Sequence, residues 1–67
     1  MGYHHDAKII RPSYGEEVWV QALSSGAYEV GVRLNRNQYT YVELSRAQLE
    51  QYRDNIVQAM VEVDAAL

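Results

Sequence analysis

The sequence predicts an α+β fold, in which a three-stranded antiparallel β-meander is followed by one long C-terminal helix packed on one face of the sheet. Three runs, "EEVWVQAL", "AYEVGVRL" and "YTYVELS", alternate apolar and polar residues and are rich in Val, Tyr and Trp. This composition at period two is typical of strands. From Ser45 onward the apolar residues recur every three or four positions, which is the period of an amphipathic helix.

The segment before the meander is weakly patterned. Its apolar pair, Ile9 and Ile10, is soon followed by Pro12 and Gly15. Proline lacks a backbone donor and so fits an edge strand or an arm, but not a central strand. We therefore expect residues 1–14 to form a partly ordered arm with a short edge strand at 7–11. The whole chain, 1–67, is predicted to be a single domain.

Two short polar stretches, "SSG" at 24–26 and "NRN" at 35–37, separate the strands. Each is predicted to be a three-residue hairpin loop, in which a type I turn is followed by a residue in the left-handed conformation. Gly26 adopts that conformation without strain, and Asn37 is one of the few other residues that tolerate it. Both loops therefore favour the meander.

Loop length also decides which residues share a face of the sheet. A two- or four-residue loop between the last two strands would place Glu43 opposite Val30, on the apolar face. The three-residue loop instead pairs Val30 with Val42, and Val32 with Thr40. The predicted core face, against which the helix is expected to pack, is then made of Val18, Val20, Ala22, Tyr28, Val30, Val32, Leu34, Thr40, Val42 and Leu44.

The opposite face contains three predicted cross-strand rows: Glu17–Arg33–Tyr39, Trp19–Gly31–Tyr41 and Gln21–Glu29–Glu43. Gly31 would form the floor of a slot about 10 Å wide between two aromatic rings. One interpretation is structural, because an aromatic ring often covers a cross-strand glycine. The other is a contact surface, since Trp, Tyr and Arg dominate interface hot spots. The predicted partner-binding residues are Trp19, Gly31, Arg33, Tyr39 and Tyr41.

The helix is predicted to begin after Ser45, which forms a capping box with Gln48 in "SRAQ". Its apolar stripe consists of Leu49, Tyr52, Ile56, Met60, Val63 and Leu67. Val57 and Val61 lie to one side of the stripe. The C-terminal turn should overhang the sheet, where Val57, Val61 and Leu67 are predicted to form an oligomer interface. Fraying of an Ala-rich end is the alternative.

The size and charge of the chain limit the classes of function. A 67-residue chain buries about 60% of its unfolded surface and is marginally stable without a supplement. The absence of cysteine excludes disulfides and thiolate metal sites. A net charge of −3 argues against a broad phosphate-binding surface. Oligomerisation or binding to another protein is therefore the expected supplement.

Neither membrane insertion nor catalysis is indicated. No apolar run approaches the roughly 20 residues of a spanning helix, and "MGYHHDAK" lacks the apolar region of a signal peptide, so the expected location is the cytoplasm. His4 and His5 are adjacent, and no second ligand cluster accompanies them, which favours a solvated pair over a metal site. We expect no cofactor and no enzyme activity, because no nucleophile–base pair or glycine-rich phosphate loop is present.

The favoured hypothesis is a small non-enzymatic protein-binding module that docks through the aromatic outer face and is expected to form a homodimer. Its size and acidity are similar to those of phage-encoded inhibitors such as anti-CRISPR proteins, although no motif carries that similarity. The first alternative is single-stranded nucleic-acid binding, with Trp19, Tyr39 and Tyr41 stacking on bases and Arg33 near phosphate. The second alternative is a structural subunit of a homo-oligomer.

Overall fold

A computed structural model gives the structure of residues 7–66. Four strands, β1 (Lys8–Ile10), β2 (Glu17–Ala22), β3 (Tyr28–Asn35) and β4 (Gln38–Leu44), precede one helix, α1 (Arg46–Ala66). The strands form one antiparallel sheet in the order β1-β2-β3-β4. The α+β class is confirmed, and the short edge strand expected at 7–11 adds a fourth strand to the predicted meander.

The predicted register of the three long strands is confirmed. Trp19 lies opposite Gly31, and Gly31 lies opposite Tyr41. On the other face, Val30 lies between Val20 and Val42. Because successive side chains in a strand point to opposite faces, this register separates an aromatic and charged face from an apolar one. We call the apolar side the valine face, after Val18, Val20, Val30, Val32 and Val42.

The β2–β3 loop has the predicted form. Gly26 has a φ of +92°, in the left-handed region. Its N–H donates to the carbonyl oxygen of Leu23 at 3.1 Å, and the N–H of Leu23 donates to the carbonyl oxygen of Ala27 at 2.9 Å. The glycine therefore closes the turn that sets the β2–β3 register.

The β3–β4 turn differs from the prediction. Asn35 pairs with Gln38, which leaves a two-residue turn, and the irregularity in the ladder falls between Arg33 and Asn35. Asn37 does not adopt a positive φ. The side chain of Asn35 explains the difference, because its Oδ1 accepts the N–H of Asn37 at 2.9 Å and its Nδ2 donates to Gln38 Oε1 at 2.6 Å. A side-chain turn of this kind replaces the left-handed residue.

The helix begins as its sequence predicts. The N–H of Gln48 donates to Ser45 Oγ at 3.2 Å, and the N–H of Ser45 donates to Gln48 Oε1 at 3.0 Å. These reciprocal bonds form a capping box, which satisfies backbone donors that have no partner within the helix.

The predicted packing of the helix on the sheet is wrong for one chain. The helix lies on the side of the valine face but stands away from it, and an open cleft separates Val20 and Tyr28 from Leu49 and Ile56. Only Ser45 separates β4 from α1. The chain therefore has no loop that would let the helix lie back along the sheet.

The predicted core face is consequently not a core. Leu34 and Val42 are 57% and 56% exposed, and the other four valines of the valine face are only half-buried. The helix stripe, which we define as Leu49, Tyr52, Ile56, Met60 and Val63, is exposed from Tyr52 onward. Within residues 7–66 the one buried hydrophobic side chain is Trp19, on the opposite face.

The two turns should differ in how much stability they lose when one residue is replaced by alanine. We expect Gly26→Ala to lower the free energy of unfolding by about 1–2 kcal/mol, because an L-residue is strained at that φ although no atom lies within 4 Å of the new Cβ. Asn37→Ala should change stability by less than about 0.5 kcal/mol, since the backbone N–H that bonds to Asn35 remains. Urea unfolding of both variants checks this. Equal losses would contradict the structure of the second turn.

Candidate functional site

The indole ring of Trp19 closes the slot that the sequence predicts above Gly31. A Cβ built on Gly31 would overlap Cε2 and Cζ2 of the indole, so the ring lies over the glycine. Trp19 is 3% exposed, and Gly31 is buried beneath it. The slot is therefore not open, and the structural interpretation, in which an aromatic ring covers the cross-strand glycine, is confirmed.

A buried carboxylate fixes the orientation of this ring. Glu29 is 2% exposed, and its Oε2 accepts the indole N–H of Trp19 and the amide N–H of Gln21, each at 2.8 Å. Hydrogen bonds to a carboxylate are stronger than neutral ones and offset part of the cost of burying it. Glu43 lies opposite Glu29 in the ladder but is exposed. The three buried side chains thus form one hydrogen-bonded unit across β2 and β3.

A second group of side chains lies on the same face, at the end of the sheet where the β3–β4 turn is. The carboxylate of Glu17 receives Arg11 Nε at 3.1 Å on one oxygen and Arg33 Nε at 3.2 Å on the other. The guanidinium of Arg33 lies 5.2 Å from the centroid of the Tyr39 ring, a distance typical of a cation–π contact. Arg33 is therefore held between a carboxylate and a ring.

The five residues predicted to bind a partner are thus divided by the structure. Trp19 and Gly31 are buried, and Arg33 is partly covered. Tyr39 and Tyr41 are 40% and 42% exposed and lie on β4, the edge strand. The accessible part of the predicted surface consists of these two rings and the edge of Arg33, and its role in binding stays a prediction.

A concave surface lies on the other side of the sheet. The cleft between the valine face and α1 has a volume of about 580 Å³. The sheet contributes Val20 and Tyr28, and the helix contributes Leu49, Tyr52, Ile56, Val57, Arg46, Glu50 and Arg53. Apolar side chains form its walls, and the three charged residues are at its rim.

One rim residue also joins the helix to the sheet. Arg46 Nη1 donates to the hydroxyl of Tyr28 at 3.5 Å, and its Nε contacts Glu50 at 3.0 Å. These bonds to Tyr28 and Glu50 raise the pKa of Arg46 above its ordinary value. An arginine is protonated throughout the physiological pH range, so this guanidinium stays charged beside the apolar cleft.

The predicted oligomer residues fall partly on this cleft. Val57 lines it, and Val61 is exposed one turn further along the helix. Leu67 lies outside the described residues. Sequence reasoning missed the sheet half of the same surface, because it assigned the valine face to the core of one chain. The one-residue connection at Ser45 is the signal that could have indicated otherwise.

Neither a cluster of metal-ligating side chains nor a helix that could span a membrane is found in residues 7–66. These residues contain no group of three or more His, Asp or Glu side chains that could hold a metal ion. His4 and His5 lie outside the described range, so the interpretation of that pair stays a prediction. The described part of α1 is not both long and apolar enough to cross a membrane.

Comparisons with protein-family models, with curated proteins and with solved structures find no match for this chain. No activity is therefore carried over from a relative.

The contact between Trp19 and Gly31 predicts a large effect from one methyl group. We expect Gly31→Ala to lower the free energy of unfolding by about 1–3 kcal/mol, because the new Cβ displaces the indole. Since Trp19 is the one tryptophan in the sequence, its emission should also shift to longer wavelength. Urea unfolding followed by intrinsic fluorescence measures both effects.

A double-mutant cycle provides the control. In a Trp19→Leu background, Gly31→Ala should cost less than in the wild type, because the overlapping ring is gone. Equal costs in the two backgrounds would show that the ring does not lie over the glycine.

Proposed function

We propose that this chain is a non-enzymatic protein-binding module that works as a subunit of a homo-oligomer, in its simplest form a dimer. In this assembly a second copy covers the valine face and the helix stripe. The observation that carries the proposal is the burial pattern, since Trp19 is the one buried hydrophobic side chain of residues 7–66.

The energetics of a single copy support assembly. Fixing the backbone costs about 1–2 kcal/mol per residue, whereas burying a large apolar side chain contributes about 1.5–3 kcal/mol. Ile56 and Met60 are 44% and 55% exposed and so contribute only part of that amount. A chain of this size without disulfides needs a further source of buried area, and oligomerisation is a common one.

A second copy suits these surfaces because it supplies both of them. Each chain has an apolar sheet face and an apolar helix stripe, and the two surfaces meet at one cleft. A two-fold axis lets each copy offer its helix to the other, so that the valine face and the helix stripe of each copy are both covered. Contiguous apolar patches of this kind are rare on soluble monomers and typical of interaction sites.

A second candidate function is the binding of another protein on the opposite face. The contact of Arg33 with Tyr39 holds that ring in place, and Tyr41 is accessible beside it. Rings held in this way lose little conformational entropy on binding. Because this face stays open when the valine face is covered, a dimer would present it twice. An inhibitor or adaptor of the phage-encoded kind would use this surface.

Single-stranded nucleic-acid binding is the less favoured alternative. Its main stacking ring, Trp19, is covered, and the carboxylates of Glu17, Glu29 and Glu43 lie on the same face. Binding through phosphate would be recognised by an affinity that falls steeply with salt.

A charge introduced into the helix stripe should prevent assembly. We expect the wild type to sediment at about 15 kDa, twice the 7.7 kDa of one chain. Ile56→Glu should abolish this association, because its carboxylate would be buried in an apolar interface without a partner. Sedimentation velocity and circular dichroism of both proteins check the expectation.

Gln58→Glu is the matched control, since it makes the same charge change half a turn away on the exposed opposite side of the helix. It should leave the dimer intact. A wild type that stays a folded 7.7 kDa monomer, or an Ile56→Glu variant that associates like the wild type, would contradict the proposal.

A further inference from the structure

We infer that the cleft of each copy receives the C-terminal third of α1 from a second copy, residues 60–66, with the two helices antiparallel about a two-fold axis near Ile56 and Val57. The inference rests on the proposed homo-oligomer and specifies how it is built. Two features of the same helix support it: the first half of α1 lines the cleft, and the second half carries an exposed apolar segment.

The length of the helix separates these two parts. The residues of α1 that line the cleft end at Val57. With a rise of about 1.5 Å per residue, the part from Arg46 to Val57 spans about 18 Å and the part beyond it about 13 Å. From Met60 to Asp64 every side chain is exposed, and Met60, Val61 and Val63 are each more than half exposed. The segment beyond the cleft is therefore apolar and uncovered.

The cleft and the segment match in apolar character. Val20, Tyr28, Leu49 and Ile56 form the walls of a space of about 580 Å³. At about 30 Å³ per molecule, that space would hold on the order of twenty waters against apolar side chains. Filling it with apolar side chains from Met60 to Val63 removes both apolar surfaces from water at once.

The two parts also match in charge. The rim of the cleft carries Arg46, Arg53 and Glu50, and the neighbouring Asp54 contacts Arg53 at 3.1 Å. The segment 60–66 carries two acidic residues and no basic one. Of the two, Asp64 lies on the side of the helix that carries Arg46, whereas Glu62 lies about 160° away around the helix. Opposite charges that meet across an interface fix the register of the partners and suppress alternatives.

The helical positions of these charges fit an antiparallel pair. Asp64 follows Arg46 by 18 residues (64 − 46), which is about five turns, so both lie on the same flank of the helix. Arg53 lies on that flank too, about 20° away. A two-fold axis perpendicular to antiparallel helices brings the same flank of both together. With the axis near Ile56 and Val57, Asp64 of one copy lies between Arg46 and Arg53 of the other.

A second copy is favoured over an acidic helix from another protein because the arrangement is reciprocal. One axis fills both clefts and covers both exposed segments, whereas a foreign helix would leave residues 60–66 uncovered. Pairing through the open edge of β4 would make a dimer as well, but it would leave the cleft unfilled. Charge reversal at the helix distinguishes these arrangements.

The test uses two single variants of the full chain, Arg53→Asp and Asp64→Arg. Alone, each variant places like charges together twice in its dimer, and we expect the dimer dissociation constant to rise roughly tenfold or more. When the two variants are mixed in equal amounts, the new carboxylate at position 53 of one chain meets the new guanidinium at position 64 of the other. The second contact of this mixed dimer is that of the wild type. Sedimentation equilibrium of the mixture should therefore show a dissociation constant well below that of either variant alone, although above that of the wild type, because the new guanidinium at position 64 also faces Arg46.

Rescue by mixing excludes an effect confined to one helix, because each chain keeps its own substitution. Arg36→Asp is the matched control: it makes the same charge change as Arg53→Asp in the β3–β4 turn, outside the residues that line the cleft, and should leave the dissociation constant unchanged. Helicity from circular dichroism confirms that each variant is folded.

The outcomes separate the inference from the proposed function. A wild type that does not associate would overturn both. If the wild type is a dimer but the single variants associate like it, or if mixing restores nothing, the homo-oligomer stands and this arrangement of its helices is wrong.

Discussion

The indole of Trp19 lies over Gly31 and donates its N–H to the buried carboxylate of Glu29. This contact joins the two central strands on one face, and Gln21 completes it with a second hydrogen bond. A glycine in mid-strand ordinarily weakens a sheet, but here it makes room for the largest side chain in the protein. Among the described residues, the one buried hydrophobic side chain therefore lies on the side of the sheet opposite to the helix.

The two faces of the sheet therefore differ in what covers them. Hydrogen bonds and ion pairs stabilise the face of Trp19 within one chain. The valine face remains uncovered, because α1 leaves β4 after a single residue, Ser45, and stands away across the cleft. In the proposed assembly, folding and association would be coupled, since a second copy would supply the apolar contact that the helix of the same chain does not make. Rings on the first face, Tyr39 and Tyr41, remain accessible in such an assembly.

Much of this architecture could be predicted from local sequence. Gly26 set the β2–β3 register, and Ser45 with Gln48 set the start of the helix. The left-handed conformation predicted for Asn37 was wrong, because the side chain of Asn35 stabilises the turn without a left-handed residue. The packing of the helix could not be predicted, because alternation shows which side chains share a face but not what covers it. The burial of Trp19 could not be predicted either, because the sequence pattern is compatible both with an exposed ring and with a ring that lies over the glycine.

The most direct test of coupled folding and assembly is the unfolding midpoint of the wild type at a series of protein concentrations. If a second copy completes the fold, the thermal midpoint rises with concentration, because association stabilises the folded state by mass action. Each tenfold increase should add up to about 1.4 kcal/mol per dimer. A midpoint that is independent of concentration, in a protein that sediments as one folded chain, would show that a single copy is stable with its valine face open.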